Sequence, residues 1–227
     1  MNDVQAKSEH GSEGGRAGAK GAAGRRQHEL REALLAAAEQ AIAAAGLPGL
    51  KAREVARDAG CALGAVYTAF ADLDALVLAV NARTLDALDA HLQTASHPAA
   101  EPVAQVVTLA DAYLGYAARH RPRWTALFEH RLPPGRSLPK WYADKQAEIF
   151  RHVETPIAAL RPGLDGAELA GLARVAFSAV HGIVSLGLDR KLAPMEETVL
   201  RQELRLVAGA MARGLDLRPA APAPHVQ

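Results

Sequence analysis

The sequence predicts an all-α fold: an N-terminal three-helix unit followed by a C-terminal helical bundle, about nine helices in all. Three observations carry this reading. Alanine and leucine, which lose little side-chain entropy in a helix, are abundant, while only 4% of residues are aromatic. Apolar residues recur at steps of three and four over most of the chain. No stretch alternates apolar and polar as a half-buried strand does. With 227 residues, 49% hydrophobic and 22% charged, a packed core is expected.

The elements follow in order. Residues 1–27 are rich in Gly, Ala, Ser, Lys and Arg and nearly lack large apolar side chains, so they predict a disordered basic tail. The first helix begins near His28, with Leu30, Leu34, Ala37, Ala38, Ala41, Ile42 and Ala45 on one face. Gly46 suits its C-terminal stop, and Pro48 prevents continuation. Two short helices follow, from about Lys51 to Ala59 and Leu63 to Phe70, with Gly60 between them. Asp72 is placed to cap a longer helix that ends before Ser96. Beyond it, helices are expected at about Pro102–Arg119, Pro122–Leu132, Lys140–Leu160, Gly166–Asp189 and Met195–Leu215. Pro133, Pro134 and Gly135 mark a loop, and Pro156 is expected to kink or end its helix. The domains are thus a tail (1–27), a three-helix unit (28–76), a larger bundle (77–218) and a Pro/Ala-rich tail (219–227).

Net charge is +1, and its distribution is uneven: five bases against three acids over 1–28, then four bases against seven acids over 29–76. The N-terminus lacks the apolar core of a secretory signal, and no apolar run approaches the ~20 residues that span a bilayer. The single cysteine, Cys61, cannot form an intramolecular disulfide and fits a reducing cytoplasm. Phosphate-binding glycine loops, nucleophile elbows and H-E-x-x-H helices do not occur, so an enzyme, a cofactor or a catalytic residue is not expected. His120, His130, His152 and His181 form no close ligand pair at helical spacing, and no metal is expected.

The informative stretch runs from Arg53 to Phe70. Two short helices meeting at Gly60 have the spacing of a helix-turn-helix, with Val55, Ala56, Val66 and Phe70 as the small core that sets the crossing angle. The block Leu30–Leu76 resembles the N-terminal domain of the TetR/AcrR family, through Gly46, Val55-Ala56, Ala59-Gly60, Gly64, Val66-Tyr67, Phe70 and Leu76 in register. The C-terminal half is similar to the WHG-type ligand-binding domain of that family. Trp124–Phe128 matches its middle section and Val175–Leu186 its His-Gly signature, with Phe177 near where tryptophan is common. The resemblance implies a homodimeric transcriptional regulator, most simply a cytoplasmic repressor that leaves double-stranded DNA when a small-molecule effector binds.

At the recognition helix the sequence departs from the family. Ala62, Leu63, Ala65 and Ala69 stand where polar side chains are usual, and Leu73 where lysine is favoured. Cys61 fills a slot the family usually gives to valine. The expected DNA-contacting set is Lys51, Arg53, Ala62, Leu63, Gly64, Ala65, Tyr67 and Thr68. It favours phosphate and shape readout over dense base hydrogen bonding. Arg16, Lys20, Arg25 and Arg26 would add cations from the tail. The apolar recognition helix also motivates an alternative: a TetR-like small-molecule-binding protein without sequence-specific DNA recognition.

Trp124, Phe128, Trp141, Tyr142 and Phe150 either line a ligand cavity, with His181 as a polar group, or pack as ordinary core. The last two helices are apolar on more than one face, so each must meet its own core and something else. Two-fold symmetry lets that patch meet itself, and the family resemblance puts a four-helix dimer interface on the same helices. The expected interface residues are Leu172, Ala176, Val180, Val184, Leu204, Val207 and Met211.

Overall fold

The computed structural model describes residues 12–97, 100–190 and 194–216, with the side chains of 12–20 and 216 outside the description. Among the described residues there are nine α-helices and no strand. They are α1 (Ser12–Ala45), α2 (Ala52–Asp58), α3 (Leu63–Ala69), α4 (Leu73–Ala95) and α5 (Pro102–Arg119), then α6 (Arg121–Glu129), α7 (Lys140–Leu160), α8 (Gly166–Leu188) and α9 (Glu197–Asp216). A single 3₁₀ turn, Leu47–Gly49, separates α1 from α2.

The chain divides into two units, Met1–Val80 and Asn81–Gln227, so the division falls inside α4. In the first unit α1 buries Leu34, Leu35, Ala38 and Ile42 against α2 and α3. The helix does not start near His28: it runs back to Ser12, and residues 23–29 are exposed. Alanine, arginine, glutamine and glutamate here favour helix without needing a core. The disorder expected for 1–11 and 219–227 lies outside the described residues. Gly46 has φ +68° and accommodates the backbone reversal that ends α1.

In the second unit α5 lies at the centre, packed against α7, α8 and α9. Leu88, Leu92, Leu114, Trp124, Val184, Leu200, Leu204 and Ala208 belong to its main core. A smaller cluster, Ile157, Ala173 and Ala176, lies where α7 meets α8. Helix starts follow the sequence signals. The Asp165 carboxylate accepts from the amides of Ala167 and Glu168 at 2.8 and 2.9 Å, and Glu168 accepts from the Asp165 amide, closing a capping box for α8. The Asp72 carboxylate accepts from the Ala75 amide and opens α4. Pro156 does not end α7, which continues to Leu160. At Gly187 a Cβ would stand 2.6 Å from the Leu200 methyls, so its absence lets α8 and α9 close together.

By length and composition α8 is apolar enough to cross a bilayer, contrary to the expectation that no run comes near this. Its inward positions Ala173, Ala176 and Val184 are nevertheless buried in the bundle.

Candidate functional site

Three surfaces bear on function: the outward side of α3, a cavity in the second unit, and the outward side of α8 and α9. The first is built by a tight turn. The Gly60 amide donates to the Arg57 carbonyl at 3.0 Å and the Cys61 amide to the Ala56 carbonyl at 2.9 Å. This is a Schellman closure of α2, and it needs a left-handed residue, which Gly60 supplies at φ +68°. Val55, Ala56, Val66 and Phe70 are buried beneath the turn. The helical period then turns Ala62, Leu63, Gly64, Tyr67 and Thr68 to solvent, with Ala65 half-buried.

The side chains on this face are already engaged in part. The Thr68 hydroxyl donates to the Gly64 carbonyl at 3.1 Å, leaving its lone pairs to accept. Exposed Lys51 pairs with Glu54 at 3.2 Å and Arg57 with Asp58 at 2.9 Å. Such surface pairs are weak and can be exchanged for a phosphate. Arg53 is exposed and has no partner among the described residues. Sequence reasoning missed Arg31. Its guanidinium donates to the Ala69 carbonyl at 2.7 Å and lies 4.1 Å from the centre of the Phe70 ring. A cation from α1 thus caps the C-terminal end of α3, where the carbonyls face outward.

The cavity has two lobes, of about 660 and 770 Å³ counting their open mouths. Leu88, Tyr113, Ile149, Val153 and Phe177 line both, so the two lobes adjoin. Phe177 is the aromatic hub, with ring centres of Tyr113, Phe150 and His181 at 5.4, 5.3 and 5.6 Å. Behind it, the Trp124 indole N–H donates to the Tyr113 hydroxyl at 2.9 Å, and that hydroxyl meets His181 Nδ1 at 2.9 Å. Tryptophan can only donate, so the Tyr113 oxygen accepts there, and the tautomer of His181 sets the direction of the second bond. Burial favours the neutral ring by lowering the His181 pKa from its usual 6.5. Burial likewise pushes Tyr142 up to about 12 and raises Tyr113. Two ties hold α7 to α4 beside the cavity: His152 to Asp89 at 2.8 Å, and Lys145 to Asp86.

Of the expected pocket residues, Phe128, Tyr142 and Phe150 line the second lobe. Trp124 and His181 do not line it; they stand behind Tyr113 as wall support. Trp141 is 49% exposed and away from the cavity, because its neighbour Tyr142 takes the inward position on α7. The expected interface set also needs correction. Val184 and Leu204 are fully buried and Ala176 nearly so, inside the protomer's own core. Val180 and Met211 line the first lobe, and Leu172 packs on the Ile157 cluster. Val207 does face outward, with Val175, Leu186, Val199 and Leu206 as exposed apolar neighbours on the two helices.

Residues 106–207 match the family described as Tetracyclin repressor-like, C-terminal domain. No curated protein matches the chain. Among solved structures, a protein of unknown function from Rhodococcus sp. RHA1 is 25% identical with a TM-score of 0.66, over 82% of this chain and 95% of its own. A bacterial regulatory protein in the TetR family from Rhodococcus RHA1 is 20% identical, TM-score 0.56, over 81% and 96%. A transcriptional regulator of the TetR/AcrR type from Aquifex aeolicus VF5 is 16% identical, TM-score 0.54, over 80% and 99%.

Proposed function

We propose that the chain is a transcriptional regulator of the TetR family, a cytoplasmic, homodimeric repressor released from its operator by a small molecule; the match of residues 106–207 to the tetracyclin repressor-like C-terminal domain supports this reading. The observation that carries the DNA role is the outward side of α3. Its exposed residues are Ala62, Leu63, Gly64, Tyr67 and Thr68, and its base is fixed by buried Val66 and Phe70. Such a helix enters a major groove, with Tyr67 and Lys51 reaching phosphates and the small apolar positions meeting thymine methyls. The apolar cavity in the second unit supports the effector role, because effector sites are concave and lined mostly by apolar side chains. Helix α4 contributes Leu76, Val77 and Val80 to the first unit, and Leu85, Leu88 and Leu92 to the cavity walls. An occupied cavity that favours a different α4 position shifts the population of DNA-competent dimers.

The proposal is tested by titrating DNA from upstream of the protein's own gene at several salt concentrations. Tyr67→Phe and Lys51→Ala each weaken binding by about three- to ten-fold, one phosphate contact being worth roughly 1 kcal/mol. Lys51→Ala also reduces the salt slope by about one. Parental affinity and slope in both variants would leave α3 without its assigned role. They would favour a small-molecule-binding protein that does not read DNA sequence, a reading to which the acidic balance of residues 29–76 already lends some support.

A further inference from the structure

We propose that the effector is an uncharged, lipophilic molecule bearing a single hydrogen-bonding group, and that charged analogues of the same length are excluded. The inference rests on the cavity being the effector site and extends that reading to the ligand's chemistry. Neither lobe is lined by Lys, Arg, Asp or Glu. The polar residues on the walls are Tyr113, Tyr142, Gln146 and His152. The Tyr113 hydroxyl is already used by Trp124 and His181, and His152 is held by Asp89 at 2.8 Å. Tyr142 is buried, 3% exposed. The half-buried Gln146 amide has no partner among the described residues, so it is available to a ligand hydroxyl or carbonyl.

A carboxylate or ammonium entering this space sheds its water and meets no opposite charge. The cations nearby do not change this. Asp89, Glu148, Arg151 and His152 line the polar pocket next to the first lobe, where His152 faces Asp89 and Arg151 faces Glu148 at 3.7 Å. Each base there already has an acid. Arg174, whose guanidinium stands 5.7 Å from the Phe150 ring centre, is exposed and lines neither lobe. The pKa directions of the buried groups agree: Tyr113, Tyr142 and His181 stay neutral near neutral pH.

The test is fluorescence of Nile red bound to the full chain near neutral pH. Dodecanol, dodecanoate and dodecylammonium compete for the dye below their aggregation limits. Dodecanol is expected to displace the dye at a concentration lower by about ten-fold or more than either ion. Ile149→Trp, at the junction of the lobes, abolishes dye binding; should it fail to fold, Val106→Trp on the first lobe serves the same purpose. Gln146→Arg moves the preference toward dodecanoate by about ten-fold. Equal or better displacement by either ion, or no shift in Gln146→Arg, overturns the neutral-ligand inference while leaving the cavity as the effector site. Absence of dye binding, or undiminished binding in a folded tryptophan variant, overturns both.

Discussion

Arg31 joins α1 to the end of α3 by one hydrogen bond and one ring face, and so fixes how α3, the proposed recognition helix, leaves α1. Removing it leaves an unsatisfied carbonyl and an uncovered ring. Arg31→Ala is expected to cost about 1 kcal/mol of stability, discounted for exposure, and to weaken DNA binding by about five-fold. Its salt slope stays parental because no phosphate contact is lost. A slope that flattens as in Lys51→Ala would make Arg31 a direct DNA contact. His181 gives a pH prediction. Its folded pKa lies below the usual 6.5, so the folded state favours the neutral ring. The stability it contributes is complete above the unfolded value and is lost as pH falls from there through the lower folded value. Thermal melts from about pH 7 down to about pH 5 should show a falling midpoint that is shallower in His181→Gln. The slope does not vanish in that variant, because burial, then Arg123, Arg119 and His91, hold His120 low as well.

At the scale of elements, α8 explains both what the sequence reveals and what it hides. Helix bounds are legible because caps and breakers are local: Gly46, Gly60, Asp72 and the Asp165–Glu168 pair each act within one turn. The orientation of α8 is not, because a helix apolar on more than one face leaves its phase open. Ala176 and Val184 turn inward while Val175 and Leu186 turn outward, and composition does not separate them. The same limit applies to Trp141 and Tyr142, adjacent aromatics on opposite sides of α7, and to Phe177, whose ring contacts come from distant helices. Arg31 is not legible for another reason: Ala69, which it bonds, is 38 residues away in sequence. The outward stripe Gly171, Val175, Ala179 and Leu186 on α8, with Val199, Leu206 and Val207 on α9, is the surface proposed to meet a second copy. Val175→Glu with Leu206→Glu should give a folded monomer by light scattering, with parental helicity. Ala176→Glu should instead unfold the bundle, since it puts an unpaired carboxylate into the protomer core. A dimer that survives both outward charges would place the interface elsewhere.

For the molecule as a whole, the proposed function asks one chain to combine a DNA-reading surface, an apolar effector cavity and a self-complementary face. Each is modest alone. The α3 face has few hydrogen-bond donors, and Lys51 and Arg57 are partly neutralised by their neighbours Glu54 and Asp58. Specific binding by such a reader depends on two copies engaging two half-sites together, which multiplies weak contacts into useful affinity. The central claim therefore has a signature in the DNA itself. Selection of bound fragments from randomised double-stranded DNA, followed by sequencing, measures it directly. A homodimeric repressor enriches an inverted repeat whose half-site centres lie one helical turn or a multiple of it apart, and the Val175→Glu, Leu206→Glu protein loses that enrichment. Enrichment of a lone half-site, or no enrichment over the starting pool, would contradict it.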